Sequence, residues 1–329
     1  MMFERIQQGA GIEKMIVLDA ERPRPDSISV CLPAIHWTMQ PRNPHAANSL
    51  HWQSQAVLLA FVPAAAVWVT LEAGQLWERH DAILLETAII AVALAGLVSV
   101  TRAATPAAAA TGAIFAATLY LETPGLHTAL WPLSALLALT FSATRFGRRR
   151  KEALGLGEAR RGRTPSQVAA NLGVAALAGI PFTEAHLFTP MAADARVALV
   201  AMMAALAEAT ADTVSSELGQ VLGGTPRLLT TFRRVPAGTD GAVSMIGTLL
   251  GMVAAGLVVA VGWLTLPSLT QTFSRADALV ALAGGTFGLF FDSLLGATIE
   301  RRGWLNNDAV NALSTLAAAL MAAWLTRWV

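Results

Sequence analysis

The sequence has few charged residues and almost no cysteine. Asp, Glu, Lys and Arg make up 14% of its 329 residues, whereas a typical soluble domain carries about 25%. The charges are clustered, so long stretches of the chain have none. This composition excludes a disordered chain, a nucleic-acid-binding protein and an ordinary cytosolic enzyme. The single cysteine, Cys31, excludes a disulfide framework and a cysteine metal site.

The common nucleotide-binding signatures of soluble proteins are also missing. The sequence has no GxxxxGK[ST] P-loop, no GxGxxG and no HRD or DFG kinase motif. A zinc site is not expected either, because the histidines lie outside the polar clusters described below. They are His36, His45, His51, His80, His127 and His186.

Apolar residues, in contrast, are abundant. They form 54% of the chain, and the mean hydropathy is +0.53. A helix needs about 20 apolar residues to cross a bilayer, and open sheet edges are not tolerated in lipid. We therefore predict an all-α, polytopic transmembrane helical bundle of about nine (eight to ten) spans. Eight spans is an alternative because the third and fifth segments are short. The segments are 56–76, 82–101, 106–121, 128–144, 167–183, 195–218, 243–267, 277–296 and 309–326.

The first 55 residues differ from the rest of the chain. They contain five prolines, mixed charges and little periodicity. We predict that residues 1–55 are a weakly ordered cytosolic extension and that residues 56–329 form an integral-membrane catalytic domain.

The basic residues predict the orientation. With nine spans, fourteen Lys and Arg residues fall on one side of the membrane, eight of them between Arg145 and Arg163. The loops on the other side hold Arg79, Arg275 and Arg327. Because cytosolic loops carry the excess of Lys and Arg, we expect the N terminus and the basic cluster to be cytosolic.

Polar residues collect at the ends of spans on this same side. Polar groups at membrane depth are costly and indicate function, so four clusters on one face predict a single site that opens to the cytosol. The clusters are Lys151 with Arg160 to Asn171, Glu208 to Gly219, Pro236 to Ser244, and Asp292 to Thr298 with Asn306 to Asn311.

Several of these residues also have a purely structural interpretation. Thr164 to Gln167 fits a helix capping box, and Asn306 fits a helix N-cap. Gly238 to Gly241 could form only a turn, and Asp308 could complement a helix N-terminus. The basic run could serve only as a topology determinant or as a contact for anionic lipids.

The carboxylates are harder to explain by structure alone. Glu208 and Asp212 are spaced i,i+4 on one helix face. Asp292 lies in a stripe with glycines at 284, 288 and 296. Small residues allow a neighbouring helix to approach closely, which would hold Asp292 against that helix. Carboxylates surrounded by cationic and hydroxyl side chains suit Mg²⁺ together with phosphate groups.

These motifs resemble a known membrane family. The strings Ala211-Asp212-Thr213-Val-Ser215-Ser216-Glu217-Leu-Gly219 and Asp292-Ser293-Leu-Leu-Gly296-Ala-Thr298 are the most specific. Together with Phe141 to Lys151, Gln167 to Asn171 and Pro236 to Ser244, they are similar to the transmembrane protein 19 group and the phytyl-phosphate kinases of plants and cyanobacteria. The resemblance covers about residues 57–327. One motif differs, since Asp240 stands where the family more often has Asn.

The resemblance implies a membrane isoprenoid-phosphate kinase. A nucleoside triphosphate, expected to be CTP, would phosphorylate a prenyl or phytyl monophosphate. Asp212, Glu217 and Asp292 would hold Mg²⁺. The residues expected to bind phosphate or substrate are Lys151, Arg160, Arg163, Gln167, Asn171, Ser216, Thr239, Asp240, Asn307, Asp308 and Asn311. The expected partners are therefore a nucleoside triphosphate, an isoprenoid lipid phosphate and membrane lipids, with no nucleic acid.

Three alternatives remain open from the sequence. A cytidylyltransferase that forms a CDP-lipid would also need CTP and Mg²⁺, but it would release pyrophosphate. A transporter of lipids or small molecules would favour internal repeats and broken helices at the bilayer midplane. A structural membrane subunit would leave the acidic residues unexplained.

Overall fold

The computed structural model describes residues 50–156, 162–180, 192–266 and 273–329. Within these ranges the chain forms ten α-helices, one 3₁₀-helix at Glu300–Arg302 and one antiparallel two-stranded ribbon. The prediction of an all-α helical bundle is confirmed, since the ribbon contains only four residues. The helices are α1 His51–Glu78, α2 Ala82–Val100, α3 Pro106–Glu122, α4 Leu130–Arg145, α5 Arg148–Ala153, α6 Pro165–Ala178, α7 Ala192–Leu222, α8 Met245–Thr265, α9 Arg275–Thr298 and α10 Asn307–Thr326.

Each of the nine predicted segments overlaps a helix of the described residues, but the number of spans is not confirmed. Six helices of the described chain, α1, α2, α7, α8, α9 and α10, are long and apolar enough to cross a membrane. Helices α3, α4 and α6 contain 17, 16 and 14 residues. At 1.5 Å per residue, the shortest extends about 21 Å, less than the ~30 Å hydrocarbon core. Nine spans therefore stays a prediction.

Helix α1 begins at His51, five residues before the predicted start of the membrane domain at residue 56. The remainder of the predicted N-terminal extension, residues 1–49, lies outside the described residues. Its weak order and cytosolic location stay predictions.

Helix α7 is the centre of the bundle. In its 18-residue apolar stretch 89% of the residues are buried, compared with 11% in α1 and 6% in α2. Helix α7 packs against α4, α6, α8, α9 and α10, whereas α1 and α2 expose large apolar side chains such as Leu71, Val92 and Val100. An exposed apolar surface of this kind is typical of helices that contact lipid.

Polar residues define where several helices begin. Thr164 and Gln167 form the predicted capping box at the start of α6: the Gln167 backbone N–H donates to Thr164 Oγ1 at 3.3 Å, and the Thr164 backbone N–H donates to Gln167 Oε1 at 2.8 Å. Asn306 is the predicted N-cap of α10 and accepts a hydrogen bond from the backbone N–H of Ala309 at 2.9 Å. These caps fix the polar ends of α6 and α10, which both face the site.

The glycine stripe of α9 allows close helix packing, as predicted, and it does so with two helices, α7 and α10. A Cβ atom on Gly284 would lie 2.8 Å from the Ala318 carbonyl oxygen of α10. A Cβ atom on Gly288 would lie 2.5 Å from Glu208 Cγ of α7 and 2.9 Å from the Ser314 carbonyl oxygen. These distances are shorter than van der Waals contact, so α9 approaches α7 and α10 closely only because glycine occupies both positions.

Candidate functional site

A polar cavity of about 300 Å³ lies where the ends of α6, α7, α9 and α10 meet the loop before α8. It gathers residues from all four predicted clusters, which are separated by up to 148 positions along the chain. Eleven of the predicted site residues line it: Arg163, Gln167, Asn171, Asp212, Ser216, Glu217, Thr239, Asp240, Asp292, Asn307 and Asn311.

Asp212 of α7 and Asp292 of α9 form the acidic wall of the cavity. The carboxylate of Asp292 accepts a hydrogen bond from Ser314 Oγ at 3.4 Å and interacts electrostatically with Asp212 and Glu208. Asp212 interacts with the cationic Arg163, and no described residue donates a hydrogen bond to its carboxylate. A carboxylate without such a donor is suited to bind a cation that enters the cavity together with a phosphate substrate.

Glu208 is one helical turn deeper than Asp212 and is buried, with 1% of its surface exposed. Its Oε1 atom has no hydrogen-bond partner among the described residues. Glu208 contacts the glycine stripe of α9 and does not line the cavity. Glu208 therefore packs behind the acidic wall, against α9, and it does not contact the space in which a ligand would bind.

Glu217 lines the cavity and forms an ion pair with Lys151, which does not line it. Lys151 Nζ lies 2.5 Å from Glu217 Oε2, and it also donates to the carbonyl oxygens of Ala143 and Thr144 at 2.8 and 3.1 Å. The Lys151 side chain is 2% exposed. An ammonium group has three donors, and all three are used here. Binding of Lys151 to a phosphate would therefore require the exchange of one of these contacts.

A short backbone pairing positions Arg163. Its N–H donates to the carbonyl oxygen of Ala103, and its carbonyl oxygen accepts from the N–H of Thr105, both at 3.0 Å. The preceding residue, Gly162, has φ +76°, and a Cβ atom there would lie 2.8 Å from the Ala103 backbone. Glycine is needed at this position, and the pairing places the Arg163 guanidinium at the edge of the polar cavity.

The loop before α8 covers the cavity and touches α9 directly. Gly238 and Gly241 have positive φ angles of +83° and +68°, and Thr239 Oγ1 donates to the Pro236 carbonyl oxygen at 2.7 Å, so the predicted turn is present. A Cβ atom on Gly296 would lie 2.6 Å from the backbone nitrogen of Gly241. The backbones of the third and fourth polar clusters are therefore in contact, and Asp240 lies in the cavity wall.

Amides line the side of the cavity formed by α6 and α10. Asn311 Nδ2 donates to Asn171 Oδ1 at 3.1 Å, which links the two helices. Asn307 lies nearby in the first turn of α10. Ser216, on α7, donates to the Thr213 carbonyl oxygen at 3.1 Å. These groups could orient phosphate oxygens by hydrogen bonds.

Two described residues of the predicted site, Lys151 and Asp308, do not line the polar cavity. Asp308 is 9% exposed in the first turn of α10 and does not line the cavity, which agrees with the alternative that it complements the helix N-terminus. Arg160 lies outside the described residues. Gln167 lines the cavity, but its Oε1 atom is already used in the capping box.

The structure adds residues that the sequence did not single out. Glu300 and Gln220 line the cavity, and Glu300 interacts electrostatically with Asp292. Gln220 lies three positions after Glu217, on the same helix face, so helical periodicity could have identified it. Glu300 follows the end of α9 in a 3₁₀-turn, and no regular spacing connects it to the motifs.

The side chains of the cavity are better suited to a metal ion that is also bound by substrate phosphate oxygens than to a metal ion bound by protein residues alone. Among the described residues, no group of three His, Cys, Asp or Glu side chains is arranged to hold a metal ion. Mg²⁺ is commonly bound by one or two carboxylates together with substrate phosphate oxygens and water. Asp212 and Asp292 could supply those carboxylates.

The chain is similar to proteins from an archaeon, a cyanobacterium and a plant. An uncharacterized membrane protein of Methanocaldococcus jannaschii is 41% identical over 124 residues, which are 38% of this chain and 50% of that protein. An uncharacterized membrane protein of Synechocystis sp. is 35% identical over 188 residues, 55% of this chain and 67% of that protein. The chloroplastic protein VTE6 of Arabidopsis thaliana is 29% identical over 194 residues, 58% of this chain and 56% of VTE6.

The matched parts thus span between half and two thirds of these relatives. No solved structure matches the chain. The family model described as integral membrane protein DUF92 matches residues 89–319, which include all four polar clusters and more than half of the sequence. The chain therefore belongs to the DUF92 family of integral membrane proteins.

Proposed function

We propose that this protein is a membrane kinase that transfers a phosphoryl group from a nucleoside triphosphate to an isoprenoid monophosphate. The observation that carries the proposal is the polar cavity, in which Asp212 and Asp292 face Arg163 and several amide and hydroxyl groups. The resemblance of the motifs to phytyl-phosphate kinases supplies the reaction. The likeness to VTE6, a plant protein like some of those kinases, agrees with it.

The reaction follows from the chemistry of the two substrates. An oxygen of the lipid monophosphate attacks the terminal phosphorus of the triphosphate, the bond from that phosphorus to its bridging oxygen breaks, and a nucleoside diphosphate leaves. A phosphate monoester has a second pKa of about 6, so the attacking oxygen is largely ionised at neutral pH. The protein therefore needs to position and neutralise the phosphates, and a general base is not required.

The residues divide these tasks by charge. Arg163 would bind phosphate oxygens with its planar donors, while Asn171, Asn311 and Thr239 would orient them by hydrogen bonds. Asp212 and Asp292 would hold Mg²⁺, which when bound neutralises charge on the transferred group. Glu217, the third predicted metal ligand, is paired with Lys151 and lines the same cavity. Lys151 would act through Glu217 by holding that carboxylate in place.

A product assay with purified protein tests the proposal. The protein is incubated with radiolabelled CTP, ATP, GTP or UTP and a panel of prenyl and phytyl monophosphates. We expect nucleoside diphosphate and lipid diphosphate in equal amounts, with CTP as the preferred donor. Release of pyrophosphate together with a CDP-lipid would instead identify a cytidylyltransferase, and no turnover of any pair would exclude the kinase.

A further inference from the structure

A second cavity lies beside the polar one and has a different character. Its volume is about 500 Å³, within the range of roughly 300–1,000 Å³ typical of ligand pockets. It is lined by α2, α3, α4 and α6 and is partly open, and most of its wall is apolar, including Leu94, Leu133 and Leu137. We call it the apolar chamber.

The apolar chamber is deep along one direction. Its wall includes Leu133, near the start of α4, and Arg145, the last residue of that helix. These residues are twelve positions apart, so the chamber follows α4 for about 18 Å at 1.5 Å per residue. This is more than half of the ~30 Å hydrocarbon core of a bilayer, and it is a suitable length for a hydrocarbon chain.

One end of the apolar chamber is basic. Arg102, Arg145, Arg148 and Arg163 all line it at the helix ends that also carry the polar cavity. Arg145 is held in place from two sides, because its Nη2 atom donates to the Thr101 carbonyl oxygen at 2.9 Å and its guanidinium lies 4.0 Å from the centre of the Phe141 ring. Arginine has five N–H donors, so Arg145 keeps donors for an anion.

A buried hydroxyl at this basic end has no hydrogen-bond partner within the described part of the chain. The Thr144 Oγ1 atom is buried, and no described residue forms a hydrogen bond with it. Thr144 lines the apolar chamber next to Arg145. A buried polar group without a partner is costly, and a ligand oxygen at the mouth of the chamber would satisfy it.

The two cavities meet at Arg163 and Asn171. Both residues line the polar cavity and the apolar chamber. A ligand with a hydrocarbon chain in the apolar chamber would therefore place a head group at its basic mouth within reach of the polar cavity. The charge at the mouth requires this head group to be anionic.

We infer that the apolar chamber binds the hydrocarbon chain of a single-chain prenyl phosphate, with the phosphate held by Arg145, Arg163 and Thr144. The inference rests on the proposed function for the identity of the acceptor, and it adds where the acceptor lies. The inference also makes the apolar chamber the determinant of chain length. A short prenyl phosphate would occupy only the basic end of the chamber, whereas a long one would also occupy its apolar part.

Gly112 of α3 offers a way to fill the chamber without disturbing the fold. A Cβ atom on Gly112 would meet only Val168 Cγ1, at 3.8 Å, which is an ordinary contact. The Gly112→Leu side chain would occupy chamber space, since both Gly112 and Val168 line it. The matched control is Gly256→Leu in α8, where a Cβ atom would meet nothing within 4 Å and which lines neither cavity.

The test uses geranylgeranyl monophosphate with a photoreactive diazirine at the far end of its chain. The full-length protein is labelled in detergent or liposomes, and the labelled peptides are mapped by mass spectrometry. We expect labelling within α4 between Leu133 and Phe141, reduced at least about tenfold by Gly112→Leu and unchanged by Gly256→Leu. Arg145→Gln should weaken labelling by the phosphate probe but not by geranylgeraniol carrying the same diazirine.

Competition distinguishes a prenyl phosphate from a bulk lipid. Unlabelled geranylgeranyl monophosphate should abolish labelling of α4, whereas phosphatidic acid at the same concentration should not. Equal displacement by phosphatidic acid, or labelling that Gly112→Leu leaves unchanged, would overturn the inference. The short acceptor dimethylallyl monophosphate should be processed equally by Gly112→Leu and by the unmodified protein.

The labelling result is independent of turnover. If α4 is labelled as expected but no acceptor is phosphorylated, the chamber binds prenyl phosphate and the proposed kinase activity is wrong. If lipid diphosphate is formed but the label maps elsewhere, the kinase stands and the chamber assignment is wrong.

Discussion

Lys151 and Glu217 are 66 positions apart, yet Lys151 Nζ lies 2.5 Å from Glu217 Oε2. The same ammonium group donates to two carbonyl oxygens in the last turn of α4, those of Ala143 and Thr144. Lys151 thus connects the end of α4, the short helix α5 and the acidic face of α7. The sequence predicts that Lys151 binds a phosphate, whereas in the structure its ammonium group positions the Glu217 carboxylate.

Removal of this cation should destabilise the protein. Lys151→Met would leave Glu217 and two carbonyl groups without their donor in a mostly buried place, and breaking a buried ion pair from one side costs roughly 3–5 kcal/mol. We expect a clearly lower thermal midpoint in detergent. Arg149→Met, which removes an exposed cation from the same helix, is the control and should leave the midpoint unchanged. A stable Lys151→Met protein with weakened nucleotide binding would show instead that Lys151 acts on the phosphate.

The Lys151 contact illustrates what the sequence can and cannot predict. Each apolar segment was predicted as a helix because lipid requires long uncharged stretches and satisfied backbone groups. The convergence of the polar clusters followed from alternating helix directions, which bring every second helix end to the same face. The pairing of Lys151 with Glu217 depends on the orientation of α5, which has only six residues and no apolar periodicity.

The loop before α8 shows the same limit. Its glycines indicated a turn, and a turn is present. Contact between Gly241 and Gly296 depends on how far α9 tilts toward the loop, which sequence spacing does not encode. The apolar chamber was equally hidden, because its wall consists of Leu and Ala residues that look like ordinary core positions.

The contact at Gly241 leads to a second prediction. Gly241→Ala would place a Cβ atom against the backbone of Ala297 in a residue with φ +68°, so it combines backbone strain with a collision. Gly224→Ala is a matched control, because Gly224 has φ +65° and open space around its Cβ position. The control should cost about 1 kcal/mol of strain. Gly241→Ala should cost more, and it should impair turnover by displacing Asp240.

Thermal unfolding of both variants in detergent separates the backbone strain from the collision with α9. Equal thermal midpoints for Gly241→Ala and Gly224→Ala would mean that the loop moves away from α9 without any loss of stability. In that case the contact between the third and fourth polar clusters would not be needed to shape the cavity.

The predicted orientation can be tested with single cysteines, because the chain has only Cys31. In a Cys31→Ser background, Arg149→Cys is exposed on α5, and Leu126→Cys is exposed in the turn between α3 and α4. A membrane-impermeant maleimide added to intact cells should label Leu126→Cys. It should label Arg149→Cys only after the membrane is permeabilised. The reverse pattern would place the polar cavity on the outer side and exclude cytosolic nucleotide as its ligand.

The acidic wall leads to the strongest prediction. Asp212→Asn and Asp292→Asn should each lower turnover by at least about 100-fold, the scale seen when one group that stabilises a transition state is removed. Both carboxylates line one cavity and interact with each other, and amides are poorer ligands than carboxylates for a hard cation. The proteins should remain folded, since Asn has nearly the same shape as Asp.

Three comparisons make the result decisive. Glu78→Gln alters an exposed carboxylate at the end of α1 and should retain full activity, which controls for general loss of charge. If the two aspartates act on one metal, the double variant should be scarcely worse than either single variant, because residues that act as a unit are not additive. Higher Mg²⁺ concentrations should then restore part of the activity of the single variants. Full activity of Asp212→Asn would remove this residue from the site and leave it as a packing feature of α7.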